Sequence, residues 1–360
     1  MADVVRLHGD ELLQTTTTTH EQRRALADIP RCRTAAMGAH RSLYACGHEV
    51  TAYNSCRNRS CGRCLSGKSH EWVEQKEQDL LPVSYFHVVF TLPPALADVA
   101  PIARASVYEA LFKAASQTIA RFGRERAHGE MGVLAVLHTW GQTLTHHPHL
   151  HCVVAGGAFD AVTNRWNATK RRFLFPVRAM SKVFRGKMLD ELRRRGLPDH
   201  TDADVERIIA AAARVDWVVY AKPPFGGPRQ VLRYLARYTH KIAISDHRIV
   251  DVDDDRVSFA YKDYRDAATT KTMTLAGREF LRRFVQHVLP RGFTRLRSYG
   301  FLANTKKREK LAAIRALLHA KPPPSSEPKP CRCPVCGDGL LIARELLAPF
   351  TFVIVRRDSS

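Results

Sequence analysis

Several things are missing from this chain, and each absence narrows what it can be. No stretch approaches the roughly 18 apolar residues of a membrane-spanning helix. The segment from Met1 to Gln14 has no basic stretch leading into an apolar run. Both absences point to a soluble, cytoplasmic protein with no membrane partner. No G-x-x-x-x-G-K-S/T phosphate loop occurs, so the chain is expected to carry no helicase or ATPase of its own. No internal repeat is visible. Acidic residues are scarce, 35 against 56 lysines and arginines, and the formal charge of +21 exceeds what solubility requires. Such an excess points to a polyanionic partner, with nucleic acid the leading candidate. The nine cysteines are odd in number and mostly clustered, unlike the even set of a short secreted disulfide scaffold. Clustered thiols in a reducing compartment suggest metal.

What is present is enough for two or three domains. The chain has 360 residues, 45% of them hydrophobic, against a soft prior of roughly 150 residues per domain. Residues 1–75 read as a zinc-binding, DNA-binding domain. It opens on a polar lead whose threonine run, Thr15 to Thr19, carries no evident chemistry, and continues into a cysteine-rich block from Cys32 to Cys64. After a short helical pattern from Glu71 to Leu81, the β-branched and aromatic run Val83 to Leu92, closed by Pro93-Pro94, reads as a buried strand opening a second domain over 82–265. There, 101–122 reads as helix, Val133 to Trp140 and His149 to Ala155 as an antiparallel strand pair, and Arg178 to Arg195 and Asp202 to Arg214 as helices. Val215 to Ala221, Arg248 to Val252 and Arg256 to Tyr261 read as further strands. Strands interleaved with helices predict an α+β or α/β core with a largely antiparallel sheet flanked by helices. Residues 266–360 form a basic C-terminal region with a Pro-rich linker, 321–330, and a small cysteine-containing tail.

The segment His147-Pro148-His149-Leu150-His151 is the sharpest motif. On a strand, side chains alternate faces, so His149 and His151 share one face while Leu150 enters the core. Two imidazoles on one face suit a divalent metal, and a third ligand is required. His138, Trp140 and, if the strand continues, Gln142 share a face of the preceding strand. Gln142 is preferred to His138, because a neutral oxygen donor suits an open Mg²⁺ or Mn²⁺ position that also holds a phosphate oxygen and water. In the helix-like stretch from Arg233 to Tyr238, Tyr234 and Tyr238 lie four apart on one face. Alone they read as core packing, since Val231, Leu235, Tyr238 and Ile242 form an apolar stripe. Beside a metal site on a basic chain they become successive nucleophiles, with Arg233, Arg237, His240 and Lys241 supplying positive field or backbone contacts.

Zinc takes four thiolate or imidazole ligands tetrahedrally, and Cys61-Gly62-Arg63-Cys64 has the tight knuckle spacing. Cys46, Cys56, Cys61 and Cys64 are the expected set, with Cys32 outside it, His40 and His48 in reserve, and Leu43 standing where a completing C-x-x-C pair would have its first cysteine. Cys333-Pro334-Val335-Cys336-Gly337 offers a second zinc knuckle with Cys331 nearby and one ligand unidentified. Arg291, Arg295, Arg297, Lys306, Lys307, Arg308 and Lys310, interleaved with Phe293, Tyr299 and Phe301, fit a groove that tracks a single strand with stacking platforms.

In this order the motifs resemble the HUH, two-tyrosine transposases of rolling-circle insertion sequences, which carry an N-terminal zinc-binding region. The likeness covers nearly the whole chain. It runs through Tyr53 to Arg59, Tyr85 to Pro93, Leu137 to Gln142 leading to His147-Pro148-His149-Leu150-His151, and Tyr234 to Tyr238 with Ala243-Ile244-Ser245. Ser60 and Gly62 stand where that family often has His and Pro. The resemblance implies an HUH-endonuclease-like core, metal on His149 and His151, nucleophiles at Tyr234 and Tyr238, and a zinc-ribbon-like N-terminus that helps to bind DNA. It also implies nucleoid association, single-stranded or melted element ends and target as substrates, and unwinding by a host helicase or the replication machinery. A plasmid replication initiator or relaxase of the same chemistry, a non-catalytic zinc DNA-binding protein and a small-molecule metal hydrolase are the alternatives. The last leaves the charge unexplained.

Overall fold

The two longest strands among the described residues are apolar on both faces, and the larger of two compact units is built on them. In the computed structural model, which describes residues 1–65, 72, 73, 76–224, 230, 243–321 and 330–349, Glu130–Trp140 and His146–Asp160 pair antiparallel. The sheet order runs Leu296–Tyr299, Glu130–Trp140, His146–Asp160, Tyr85–Thr91, Val219–Lys222, with Arg165–Ala168 also on the long central strand. Every pairing is antiparallel, so the fold is α+β.

Both faces of this sheet are covered. Ala135, Leu137, Leu150, Cys152 and Val154 point into a core shared with Val107, Leu111, Ala115 and Ile119 of the helix Arg104–Arg126 and with Phe184, Met188 and Leu192 of the helix Val177–Arg195. The alternate residues Leu134, Val136, Val153 and Ala155 pack with Tyr85, Phe301, Leu311 and Ile314, the last two on the helix Lys307–Leu317. At roughly 1.5–3 kcal/mol for each large apolar side chain fully buried, these two layers hold the register of the central pair.

The smaller unit gathers residues distant in sequence: Met1–Ser66, Ile244–Val288 and Ser325–Ser360. The expected polar lead is two helices, Ala2–Thr15 and His20–Arg31. Their apolar positions Val4, Val5, Leu12, Ala25, Leu26 and Ile29 are buried. The threonine run breaks them, and Thr19 caps the second in a capping box with Gln22. One three-stranded sheet has the order Leu341–Leu347, Ala39–Tyr44, Glu49–Tyr53, and a second joins Thr269–Ala276, Arg256–Asp263 and Ile249–Val252. The division into consecutive segments 1–75, 82–265 and 266–360 is therefore not how the chain packs. Residues 244–288 and the cysteine tail group with the N-terminus, while Leu289–Pro324 belongs to the larger unit, where Leu296–Tyr299 forms an edge strand. Among the described residues, no helix is long and apolar enough to cross a membrane.

Phe301 is fully buried, meets Trp166 edge-on at 5.9 Å, and fills the space over Gly132, where an added Cβ would lie 2.3 Å from its ring. Phe301→Ala is expected to lower unfolding stability by about 3–5 kcal/mol in denaturant titration. Phe173→Ala, at a half-exposed position, should stay within about 0.5 kcal/mol.

Candidate metal centres and nucleic-acid interface

The face that carries Leu134, Val136, Val153 and Ala155 ends, at the turn side of the strand pair, in histidines. The register sets His138 opposite His149 and Val136 opposite His151. His138 Nδ1 lies 2.9 Å from His149 Nε2, and ligand nitrogens of His138, His149 and His151 all lie within 4.8 Å of one another. His149 Nδ1 donates to the backbone carbonyl of His147 at 2.6 Å. A carbonyl can only accept, so this bond fixes the tautomer and leaves the Nε2 lone pair facing the cluster. The neighbouring strand adds a fourth imidazole, with His87 Nε2 2.8 Å from His151 Nδ1 and the two rings stacked. Burial pushes His87 and His149 down to about 4 and His151 to about 2. All three are neutral at physiological pH, as metal ligation requires.

Two sequence expectations shift here. The third imidazole of the group is His138, which was placed behind Gln142. The strand ends at Trp140, and Gln142 lies in the following turn, so the alternation that suggested it does not extend that far. His87 was missed as a site residue; its signal was a lone histidine in an otherwise apolar strand. His146, by contrast, faces the helical core, bonding Tyr108 Oη at 2.8 Å.

Tyr234 and Tyr238, with Arg233, Arg237 and Lys241, lie outside the described residues. Of the other cations expected at DNA, Arg295 borders the histidines. Its guanidinium sits 4.9 Å over the Trp140 ring, which is 4.0 Å from the His138 ring. Its Nε also donates to the Leu137 carbonyl at 3.0 Å.

Arg297 does not fit its expected role. It holds Glu109 through both carboxylate oxygens and lies 4.3 Å over Phe112 and 5.0 Å over Phe293, a half-buried structural pair. The proposed stacking platforms are packing residues too: Phe293 and Phe301 are buried. Lys307 and Lys310 pair with Asp79 and Glu130.

The cysteines sort into two groups. Cys32, Cys56, Cys61 and Cys64 bring their Sγ atoms within 4.8 Å of one another, with Cys64 3.5 Å from both Cys32 and Cys56. A tetrahedron with Zn–S bonds of 2.3 Å has S···S edges of about 3.8 Å, so the set fits zinc. Cys46 is not in it. Cys46 sits in the turn between Ala39–Tyr44 and Glu49–Tyr53 and faces Cys333 and Cys336 instead. Cys32, at the C-cap of His20–Arg31, takes the place expected for it. Distance along the sequence made Cys32 look like the outsider, but the helix end returns it to the knuckle.

Comparison with known proteins agrees with this geometry. A family model described as "Putative transposase" matches residues 132–310, which include the three histidines, and one described as "Transposase zinc-binding domain" matches 4–92, which include the Cys32 set. A Sinorhizobium fredii protein named "Putative transposase y4qJ" is 43% identical, over 96% of this chain and 95% of its own length. The "Transposase for insertion sequence element IS801" of Pseudomonas savastanoi pv. phaseolicola is 28% identical over 85% of this chain and 79% of its own. The chain belongs to the IS91 family of insertion-sequence transposases, enzymes that act on DNA and carry a zinc-binding domain.

Arg297 holds the Glu109 carboxyl below its ordinary value of 4.5. A carboxyl depressed in the folded state stabilises fully above its unfolded value and loses that contribution as pH falls through the folded one. Arg297→Ala is expected to cost roughly 1–2 kcal/mol at neutral pH, with the difference from wild type shrinking as pH is lowered below 4.5. Its affinity for DNA should change less than that of Arg295→Ala, measured by fluorescence anisotropy at fixed salt.

Proposed function

We propose that this transposase cuts and rejoins single DNA strands at a centre formed by His138, His149 and His151, with Tyr234 and Tyr238 as successive nucleophiles. Cys32, Cys56, Cys61 and Cys64 hold its structural Zn²⁺. The observation that carries the reading is the convergence of three imidazoles, His138, His149 and His151, at the end of the strand pair, within 4.8 Å of one another. A divalent cation held there polarises the scissile phosphate and offsets charge developing in the transition state. An all-imidazole set favours Mn²⁺ over the Mg²⁺ that an oxygen ligand from Gln142 would suit.

The chain's own groups do the rest. His87 and the His147 carbonyl hold two of the imidazoles in their ligating tautomers. Arg295, pinned on Trp140, supplies a fixed cation beside the phosphate. A tyrosine hydroxyl, ordinarily near pKa 10, gives its proton to solvent and attacks in line. The Tyr Oη–P bond forms, the P–O3′ bond breaks, and the departing oxygen takes a proton to become a free 3′ hydroxyl while the 5′ phosphate stays on the protein. The second tyrosine cuts the target in the same way. Each free 3′ hydroxyl then attacks a phosphotyrosine and returns its proton to the released phenol. One phosphodiester is exchanged for another, so no ATP is consumed. This is consistent with unwinding supplied by a host helicase or the replication machinery at the nucleoid, and with element ends and target entering single-stranded or melted.

Labelled single-stranded element ends incubated with protein and Mn²⁺ should give a covalent adduct that survives denaturation. Tyr234→Phe/Tyr238→Phe should abolish it; an undiminished adduct in that variant refutes the tyrosine assignment. His138→Ala is expected to lower adduct formation more than about tenfold and Gln142→Ala much less. His87→Ala should weaken Mn²⁺ binding by about 10–100-fold and be partly rescued by raised Mn²⁺, as befits a residue that orients a ligand.

A further inference from the structure

The cysteine tail has almost nothing to hold it in place by burial. Along Leu341–Leu347 the side chains are half-buried or exposed, with Ile342 63% and Leu346 78% accessible, and Val335 in the preceding turn is 73% accessible. Cys333 is the exception at 1%. Short segments without a core of their own are normally stapled by disulfides or metal, and all the cysteines here are free thiols.

The backbone around Cys333 and Cys336 has the form of a metal knuckle. Gly337 N–H donates to the Cys333 carbonyl at 2.9 Å and Gly339 N–H to Cys336 Sγ at 3.3 Å, while Cys333 N–H donates to the Gly339 carbonyl at 2.7 Å. Gly337 turns the chain at φ +77°, a conformation costly for any residue with a Cβ. Strand pairing then carries this knuckle to Cys46. Leu341–Leu347 runs antiparallel to Ala39–Tyr44, from Ala39 opposite Leu347 to Tyr44 opposite Leu341, and Ala45 N–H donates to the Leu340 carbonyl at 2.8 Å. A Cβ on Gly339 would lie 2.8 Å from Cys46 Sγ, so the glycine lets the tail close on that thiol. The Sγ atoms of Cys46, Cys333 and Cys336 lie within 4.8 Å of one another. Cys331, two residues before Cys333 and tied to the strand by Leu341 N–H to its carbonyl at 2.9 Å, is exposed and lies outside the three-sulfur group, within reach of one side-chain reorientation.

We propose that Cys46, Cys333 and Cys336, with Cys331 as the fourth thiolate, bind a second Zn²⁺ that fastens the C-terminal tail as an edge strand of the N-terminal zinc-binding sheet. All four donors are sulfur, which selects zinc over the hard cations suited to oxygen. Binding releases the thiol protons to solvent and supplies the folding free energy that the tail's packing lacks.

The site is independent of the Cys32 set and of the nuclease reading. Zinc per chain, measured by inductively coupled plasma mass spectrometry on dialysed full-length protein, is expected to be two. Cys46→Ser and Cys336→Ser should each retain one, Cys32→Ser should also retain one, and Cys32→Ser/Cys46→Ser none. Hydrogen exchange should quicken at least tenfold in Leu341–Leu347 for Cys46→Ser and stay unchanged in the helix His20–Arg31. A wild-type protein with a single zinc that Cys32→Ser removes overturns the proposal. So does a Cys46→Ser variant that keeps two zincs and an unaltered tail.

Discussion

The register between Glu130–Trp140 and His146–Asp160 is the constraint on which the histidine group depends. Because side chains alternate along a strand, a slip of one residue would exchange the two faces of the long strand. His149 and His151 would then point into the helical core, and Leu150, Cys152 and Val154 out of it. The sheet is buried on both sides, so that slip would exchange two differently packed apolar layers and bury His149 and His151 in the helical core. The same register that satisfies the two cores sets His138 directly across from His149. The geometry of the histidine group is thus determined by hydrophobic packing some distance away, and the histidines occupy the end of a face already committed by Leu134, Val136, Val153 and Ala155.

That dependence explains which parts of the site could be read from the amino-acid sequence. Period-two alternation is local, so His149, His151 and most of the strands in the sheet were legible from the pattern of apolar residues. The partner of His149 was not, because choosing between His138 and Gln142 needs the length of the turn and the strand's last residue. His87 comes from a strand whose adjacency to His146–Asp160 no local signal encodes. The N-terminal helices escaped for a different reason. Their apolar positions are sparse and separated by charged residues, and the threonine run between them looked inert until Thr19 proved to be a helix cap.

Net charge gave the partner correctly and the contacts poorly. A surplus of positive charge is a property of the whole chain, whereas a cation's role depends on whether a carboxylate lies within reach. Arg297 is consumed by Glu109, Lys310 by Glu130 and Lys307 by Asp79, while Glu191 alone pairs with Lys113, Arg194 and Arg195. Arg297–Glu109 ties the edge strand to the helix Arg104–Arg126, Lys310–Glu130 ties a helix to the sheet, and Lys113–Glu191 joins two helices. Arg295 lies over the Trp140 indole and donates to the Leu137 carbonyl, at the edge of the histidine group.

Cysteine spacing misled for the same topological reason. Thiols close in sequence invite a shared ion, and Cys46 sits between Cys32 and Cys56 in the chain. In the fold, Cys46 occupies a hairpin turn on the edge where the C-terminal strand arrives, while Cys32 ends a helix that abuts the Cys61–Cys64 knuckle. The two sulfur groups belong to one discontinuous unit assembled from the beginning, middle and end of the chain. Loop closure over such separations is entropically costly, and the cost grows slowly with length. An edge strand as exposed as Leu341–Leu347 recovers little of it through burial. Thiolate–metal bonds have the strength to recover the remainder, and the strand begins beside the second group of sulfurs.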